Sequence, residues 1–182
     1  MRTYTSGHRR KRAAVIVNNK DIDVTTIRQI SDEDCIVVEV NYKKKVFFAS
    51  SMYFDRVSNI EEDIRKAERI LTHIKGRRLL ILADTNVRNK LWYDNINNER
   101  GRLFEEFLTI NTLHILNENT EIPSYETARG RSWIDLTITN NILLGHITDW
   151  KIAEEESCSD HRIISFKIGE VNRDKTSIYH RA

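Results

Sequence analysis

Short apolar runs separated by polar turns recur along the chain and predict most of its strands. Their β-branched and aromatic residues favour an extended backbone. The runs cover residues 13–17, 35–40, 46–53, 78–83, 113–116, 131–139, 146–152 and 162–168. The charged segment 41–45 predicts a hairpin connection between the second and third runs, and residues 1–11 predict an irregular polar arm.

Two segments instead have the 3.6-residue apolar periodicity of amphipathic helices. In the first, apolar residues recur from Ile60 to Ile74, Ser58 and Glu61 form a predicted capping box, and Gly76 is the predicted end. The second carries Leu103, Phe104, Phe107 and Leu108. Strands and helices in this order predict an α/β fold in which layered sheets pack together with helices outside.

Length and charge set limits on the organisation of the chain. Its 182 residues suffice for one domain, and 29 basic against 27 acidic residues give a net charge of only +2. Residues 1–10 predict a polar basic arm, residues 11–168 the domain, and residues 169–182 a polar tail or truncated linker. The basic cluster at residues 8–12 favours phosphate contacts or a solvated arm.

The cysteines and the apolar runs indicate the compartment. Cys35 and Cys158 lack metal-ligand spacing, which favours a reducing compartment over a disulfide framework. The sequence predicts no signal peptide, and its apolar runs are too short to cross a bilayer. We expect an intracellular, soluble monomer with no membrane partner.

Three short strings carry the chemistry: residues 84–86 (Asp-Thr-Asn), 132–135 (Ser-Trp-Ile-Asp) and 159–161 (Ser-Asp-His). Hydrolysis of a phosphodiester needs carboxylates that hold a divalent metal and orient water, and an imidazole for the developing phosphate charge. Taken alone, Asp84 could begin a turn and His161 could be a surface histidine. The three strings in this order favour a hydrolytic site.

With residues 11–15, 83–86, 100–101, 131–135 and 156–161, the chain resembles the endonuclease/exonuclease/phosphatase superfamily, which includes deoxyribonuclease I and the apurinic/apyrimidinic endonucleases. Within it, the chain is most similar to the endonuclease domain of non-LTR retrotransposons, from about residue 11 to residue 168. The resemblance implies a deoxyribonuclease I-like sandwich of two β-sheets flanked by helices. It also implies nicking of double-stranded DNA, which leaves a 3′-hydroxyl that primes reverse transcription.

The resemblance also implies roles for the residues of the three strings. Asp84 would orient and activate the attacking water, and Asn86 would position that water or the phosphate. His161 would contact the scissile phosphate, with Asp135 holding its ring in orientation. A tyrosine at the position of Tyr53 would place its hydroxyl on the phosphate.

Cofactor, partners and location follow from the same resemblance. Asp160 would lie at or near a metal, which we expect to be Mg²⁺, with Mn²⁺ as a substitute. The partners would be double-stranded DNA and a reverse transcriptase domain in the same polyprotein, in the nucleus.

Four further residues are candidates for DNA contact. Arg129 and Arg131 flank a turn glycine and would contact phosphates or remain solvated. Trp92 and Tyr93 follow the Asp84 string in a polar loop, where stacking on a base and simple loop packing are equally favoured. Trp133 is predicted to pack in the core.

The chain also departs from the superfamily pattern. Relatives open with a strand–helix–strand unit that carries a metal-binding glutamate in a Gln-Glu pair, and this sequence contains no such pair. We therefore expect weakened metal affinity and impaired nicking. The alternatives are a catalytically dead DNA-binding or relic fragment, and a phosphoesterase of the same superfamily with another substrate. Residues 100–101 and 131–135 favour the retrotransposon group.

Overall fold

The computed structural model describes residues 1–7, 10–155 and 157–169. The chain divides into two units, residues 1–85 and 86–182. Of the predicted tail at residues 169–182, only Gly169 is described, and His8, Arg9 and Glu156 also lie outside the described residues. No helix in the described ranges is long and apolar enough to cross a membrane.

The first unit is built on antiparallel and parallel strand pairs around one helix. Its elements are β1 (Arg2–Tyr4), β2 (Val15–Val17), β3 (Asp23–Thr26), β4 (Cys35–Tyr42), β5 (Lys45–Tyr53), α1 (Ile60–Ile74) and β6 (Leu79–Asp84). Strands β3, β4, β5 and β6 are neighbours in that order, and only β5 and β6 among them run parallel. A parallel pair needs a crossover connection, and α1 supplies it.

The hairpin between β4 and β5 forms where the charged segment 41–45 predicts it. Tyr42 pairs with Lys45. Lys43 and Lys44 between them have φ angles of 48° and 64°. Two successive left-handed residues make the tight turn whose twist matches that of the strands it joins.

The arm predicted as irregular contains a strand. Residues 2–4 pair antiparallel with β2, and Tyr4 lies opposite Val15. Both side chains pack against a buried cluster that includes Ile36 and Val38, so tertiary contacts order a segment with little strand character of its own. Strand β3 was not predicted either. Its four residues alternate between exposed and half-buried positions, and their backbone forms a strand through its pairing with β4.

Helix α1 spans the predicted segment, but its N-cap is Asn59 rather than Ser58. The side chain of Asn59 accepts a hydrogen bond from the Glu61 backbone N–H at 3.0 Å. The Ser58 hydroxyl instead donates to the Asp55 carbonyl at 3.1 Å. At the other end, Lys75 adopts a left-handed conformation one residue before the predicted stop.

The second unit contains shorter paired strands and two helices. Its elements are α2 (Glu99–Ile110), β7 (Leu113–Ile115), β8 (Tyr125–Thr127), β9 (Gly130–Ser132), β10 (Asp135–Asn140), α3 (Asn141–Leu144), β11 (Ile147–Ile152) and β12 (Ile164–Ile168). Three antiparallel pairs form, β7 with β10, β8 with β9, and β11 with β12. Trp133 is buried, as predicted.

The strand predicted over residues 131–139 is in fact two strands, β9 and β10. At the break, the backbone N–H of Trp133 donates to Asp94 at 3.0 Å and that of Asp135 to the Ser124 hydroxyl at 3.1 Å. Because these groups bond to side chains, the strand ladder is interrupted there. Strand β9 pairs with β8, whereas β10 pairs with β7.

Close backbone packing fixes the first turn of α2. The side chain of Asn98 caps the helix by accepting from the Gly101 N–H at 2.7 Å. A Cβ atom placed on Gly101 would lie 2.1 Å from the carbonyl oxygen of Arg88. Only glycine fits this approach without displacing the loop that contains Arg88.

Candidate active site

Asp135 and His161 form a hydrogen-bonded acid–imidazole pair in the second unit. Nδ1 of His161 lies 3.0 Å from Oδ2 and 3.1 Å from Oδ1 of Asp135. The side chain of His161 is 36% exposed and that of Asp135 is 18% exposed, so the pair is accessible from solvent. A carboxylate at Nδ1 favours the tautomer with the proton there, which leaves the acceptor lone pair of a neutral ring on Nε2.

Ser124 holds both halves of this pair. Its hydroxyl, which is fully buried, accepts from the backbone N–H of Asp135 at 3.1 Å. Its carbonyl accepts from the backbone N–H of Arg162, beside His161, at 2.8 Å. Asn117 adds a second restraint, since its amide donates to the Asp135 carbonyl at 2.9 Å. Sequence reasoning missed Ser124 and Asn117, because a loop serine and a loop asparagine give no distinguishing signal.

Tyr125, which follows Ser124 in the chain, packs on the imidazole of His161. The two ring centroids are 4.8 Å apart with an interplanar angle of 58°. Tyr125 and His161 also form an isolated antiparallel bridge. On the other side, the His161 backbone N–H donates to the Ser159 hydroxyl at 3.2 Å, which orders the loop before the ring.

Asp160, the predicted metal ligand, is exposed in the same loop. Its carbonyl accepts from the Glu126 backbone N–H at 2.9 Å. This hydrogen bond holds the backbone of Asp160 beside that of Glu126. The metal role of its carboxylate stays a prediction.

Asp84 and Tyr53 lie together in the first unit. They are register partners at the carboxyl ends of the parallel strands β6 and β5, and both are half-buried. Side chains at such strand ends meet at one edge of the sheet. Burial raises the pKa of the Tyr53 phenol, and the negative charges of Asp55 and Asp84 raise it further. Tyr53 is therefore a neutral hydrogen-bond donor at physiological pH.

Asn86 begins the second unit with a left-handed backbone, at a φ of 48°. Asparagine is among the residues that adopt this conformation most readily. The loop that follows is tied down by Arg88, which donates to the buried Asp94 carboxylate at 2.8 Å and to the Arg131 carbonyl at 3.1 Å. This clamp connects the Asn86 loop to strand β9.

The four residues predicted to contact DNA differ in their exposure to solvent. Trp92 has no exposed surface and its ring lies edge-on to Phe104, with centroids 6.3 Å apart. Of the two alternatives, loop packing is therefore correct for Trp92, and base stacking is wrong because no base can reach the ring. Tyr93 is 43% exposed, and Arg129 and Arg131 are exposed on the β8–β9 hairpin.

Candidate metal ligands are present among the described residues. Asp84, Asp135 and His161 offer carboxylate oxygens and an imidazole nitrogen. Oxygen-rich donor sets suit hard divalent cations, and water or phosphate oxygens complete such coordination shells. The donor chemistry therefore fits a divalent metal ion.

The strand pairs and the acid–imidazole pair are those expected of the deoxyribonuclease I-like fold of the endonuclease/exonuclease/phosphatase superfamily. Residues 47–165 match the family model described as endonuclease-reverse transcriptase, and the chain belongs to this family. The predicted superfamily, fold class and likeness to non-LTR retrotransposon endonucleases are thereby confirmed.

Solved structures agree with this assignment. The endonuclease domain of TRAS1, a telomere-specific non-LTR retrotransposon, superposes with a TM-score of 0.84 and 26% identity, over 92% of this chain and 79% of that one. The AP endonuclease LMAP from Leishmania major superposes with a TM-score of 0.61 and 11% identity, over 76% of this chain and 55% of that one. The second likeness concerns the fold alone.

Two curated relatives are retrotransposon proteins. A 115 kDa protein of the type-1 retrotransposable element R1DM of Drosophila melanogaster is 26% identical over 176 residues, or 91% of this chain and 17% of that protein. A retrovirus-related Pol polyprotein of the type-1 element R1 of Bradysia coprophila is 21% identical over 164 residues, or 86% of this chain and 16% of that protein. The chain thus spans about one sixth of the length of these relatives.

Proposed function

We propose that this chain is the DNA-nicking domain of a non-LTR retrotransposon. It hydrolyses one phosphodiester bond of double-stranded DNA and leaves a 3′-hydroxyl that primes reverse transcription. The observation that carries the proposal is the hydrogen bond between Asp135 and Nδ1 of His161, in a chain of the endonuclease-reverse transcriptase family.

His161 stabilises the negative charge that develops on the phosphate. With Asp135 at Nδ1, the ring becomes a stabilised imidazolium when Nε2 takes up a proton, and this cation offsets the charge of the pentavalent transition state. Tyr53 donates its phenolic hydrogen to a non-bridging oxygen of the same phosphate.

Asp84 and Asn86 act on the attacking water. The Asp84 carboxylate accepts a proton from the water as the new P–O bond forms, and the Asn86 amide orients that water in line with the leaving oxygen. The P–O bond to the leaving 3′-oxygen breaks, and this oxygen takes a proton from solvent water to depart as a hydroxyl. This polarity of cleavage gives the end that a reverse transcriptase extends.

A divalent ion, Mg²⁺ with Mn²⁺ as a substitute, supplies Lewis-acid polarisation of the phosphate when it is bound. Asp160 is the predicted ligand, and the carboxylates of Asp84 and Asp135 offer further oxygens, whereas His161 as an imidazolium has no lone pair for the ion. Oxygen ligands predominate in this set, as a hard cation requires.

The partner in this proposal is a reverse transcriptase domain in the same polyprotein. The relative from Bradysia coprophila is a Pol polyprotein roughly six times as long as the matched region. Because the substrate is genomic DNA, the domain acts in the nucleus.

Nicking of a supercoiled plasmid by the purified chain tests the proposal. We expect Mg²⁺-dependent conversion to the relaxed circle, abolished by EDTA and lowered at least ~100-fold by His161→Ala, since a positioned imidazole contributes about 10²–10⁴-fold. His73→Ala is the matched control, because His73 is a half-exposed histidine on α1. A DNA polymerase should extend the nick without prior phosphatase treatment if the end is a 3′-hydroxyl.

Wild-type protein that nicks no faster than His161→Ala contradicts the proposal. Parallel assays with poly(A) and a phosphoinositide separate the substrate classes of the superfamily. His161-dependent hydrolysis of either compound without plasmid nicking would indicate a phosphoesterase with a different substrate.

A further inference from the structure

Arg12, just before β2, lies against the face of Tyr53 at the end of β5. The guanidinium carbon is 4.7 Å from the ring centroid of Tyr53. Cations within about 6 Å of an aromatic ring are attracted by its negative face. Nothing in the sequence around Arg12 indicates this contact, because 41 positions separate the two residues.

Two carboxylates fix the orientation of the guanidinium. Its Nε and Nη2 donate to the two oxygens of Asp34 at 2.5 Å and 2.9 Å, and its Nη1 donates to Asp55 at 2.7 Å. Such forked, charge-assisted hydrogen bonds are both strong and directional. Asp34 is held in turn by Lys66, whose ammonium lies 3.2 Å away.

The same acids also hold Tyr53. The backbone N–H of Tyr53 donates to the Asp34 carbonyl at 2.8 Å, so Asp34 binds Tyr53 through its main chain and Arg12 through its side chain. Asp55 lies two positions after Tyr53 and accepts from the Val57 N–H at 3.0 Å. Arg12 thus joins the segments on both sides of the tyrosine ring.

We infer that Arg12 is a positioning residue for Tyr53: it fixes the phenol ring at the end of β5 and offsets the negative charge of the acids beside it. The inference rests on the proposed function, in which Tyr53 donates to the scissile phosphate. All three guanidinium nitrogens donate to carboxylates, which holds the cation against the ring of Tyr53. Nη1 and Nη2 each keep one further N–H, so the test must separate an effect through Tyr53 from a direct phosphate contact.

The charge of Arg12 has a second effect on the phenol. Burial, Asp55 and Asp84 raise the pKa of Tyr53, whereas the Arg12 cation lowers it. Without Arg12, Asp34 would keep Lys66, but Asp55 would lose its guanidinium partner beside an anionic substrate. The ring of Tyr53 would also lose the cation on its face.

A double-mutant cycle tests whether Arg12 acts through Tyr53. Nicking kinetics are measured for wild type, Arg12→Gln, Tyr53→Phe and the double variant, with thermal unfolding to confirm that each is folded at the assay temperature. We expect each single variant to lower kcat about tenfold with KM changed less than about twofold. The kcat of the double variant should lie within about twofold of the kcat of either single variant, because the two substitutions remove the same effect.

Arg77→Gln is the matched control. Arg77 stacks on the Phe48 ring at 4.2 Å in the same unit and also pairs with a carboxylate, but its ring has no hydroxyl. Its replacement should leave kcat unchanged. A double variant slowed about a hundredfold would mean that Arg12 and Tyr53 act independently, which would overturn the inference.

A spectroscopic measurement separates this inference from the proposed function. In protein labelled with ¹³C at tyrosine Cζ, the Tyr53 resonance is assigned by its loss in Tyr53→Phe. We expect it to move in Arg12→Gln and not in Arg77→Gln. If the Tyr53 resonance does not move in Arg12→Gln, the inference is overturned. If the resonance moves but the wild-type protein nicks no DNA, Arg12 does position Tyr53, and only the proposed function is refuted.

Discussion

The carboxylate of Asp135 lies 3.0 Å from Nδ1 of His161, although 26 positions separate the two residues. Asp135 is the first residue of β10, and His161 lies just before β12. Ser124 joins their segments by accepting one backbone hydrogen bond on each side. A short carboxylate–imidazole contact that is also restrained from a third segment is typical of a site that must keep its ring orientation.

Replacing Asp135 by asparagine should impair nicking more than it impairs folding. An amide cannot stabilise an imidazolium, and its NH₂ group can face the Nδ1 proton, which disfavours the required tautomer. We expect kcat to fall at least ~100-fold with KM little changed. Asp149→Asn, which removes an exposed carboxylate paired with Lys167 on β11 and β12, is the control. Wild-type kcat in Asp135→Asn would show that the acid does not orient the ring.

Gly101→Ala should destabilise the protein. The added methyl carbon would lie 2.1 Å from the Arg88 carbonyl oxygen, so the α2 turn and the Arg88 loop must separate. Overpacking of this kind costs about 1–3 kcal/mol, measurable as a lower urea midpoint. Gly7→Ala, where a methyl group meets no atom within 4 Å, should leave the midpoint unchanged. Equal midpoints for the two variants would contradict the close approach.

Trp92 and Tyr93 should respond in opposite ways to replacement by alanine. Trp92 is fully buried against Phe104, so Trp92→Ala should cost about 3–5 kcal/mol of unfolding free energy. Tyr93 is exposed, so Tyr93→Ala should leave stability intact and weaken DNA binding by about 1–3 kcal/mol if its ring stacks on a base. Denaturation and fluorescence anisotropy with labelled duplex measure the two effects. Unchanged duplex affinity in Tyr93→Ala would remove that residue from the DNA-binding set.

Acid should weaken the first unit through Asp34. Burial raises the pKa of this carboxyl, but hydrogen bonds from Arg12 and Lys66 outweigh it, so the folded-state pKa is lower than the ordinary value. The resulting stabilisation is present above about pH 4, the unfolded-state value, and is lost as pH falls through the lower folded-state pKa. Asp34→Asn should therefore flatten the decline of the urea midpoint below about pH 4. The exposed Asp21→Asn should retain the full decline, and an equally steep decline in Asp34→Asn would contradict the linkage.

Local patterns were sufficient for α1, α2 and the longer strands, but not for the short elements β1, β3, β8 and α3. The apolar periodicity of α1 and the β-branched run of β4 each agree with a tertiary environment that buries the same residues. Strand β1 and the break after β9 could not be predicted, since one depends on pairing with β2 and the other on hydrogen bonds to Asp94 and Ser124. The cap of α1 was misplaced by one residue because serine and asparagine are equivalent caps by type.

The candidate site shows the same division. Asp84, Asp135 and His161 could be predicted as candidates because acids and a histidine at strand ends form recognisable strings. Arg12, Ser124 and Asn117 were missed, because each acts on a residue distant in the chain and has an ordinary local context. Trp92 shows the converse, since an aromatic residue in a polar loop resembles a binding residue until its burial is known.

The bonds of Ser124 have a consequence for folding. Its hydroxyl reaches a residue 11 positions away and its carbonyl one that lies well beyond β11, so neither bond can form from local structure. The bond to Asp135 closes a short loop, whereas the bond to Arg162 closes a much longer one, whose chain entropy must be lost before that contact can form. The His161 imidazole is thus assembled only in the finished second unit. A collapsed intermediate of this chain can be compact and rich in strands and still be catalytically silent.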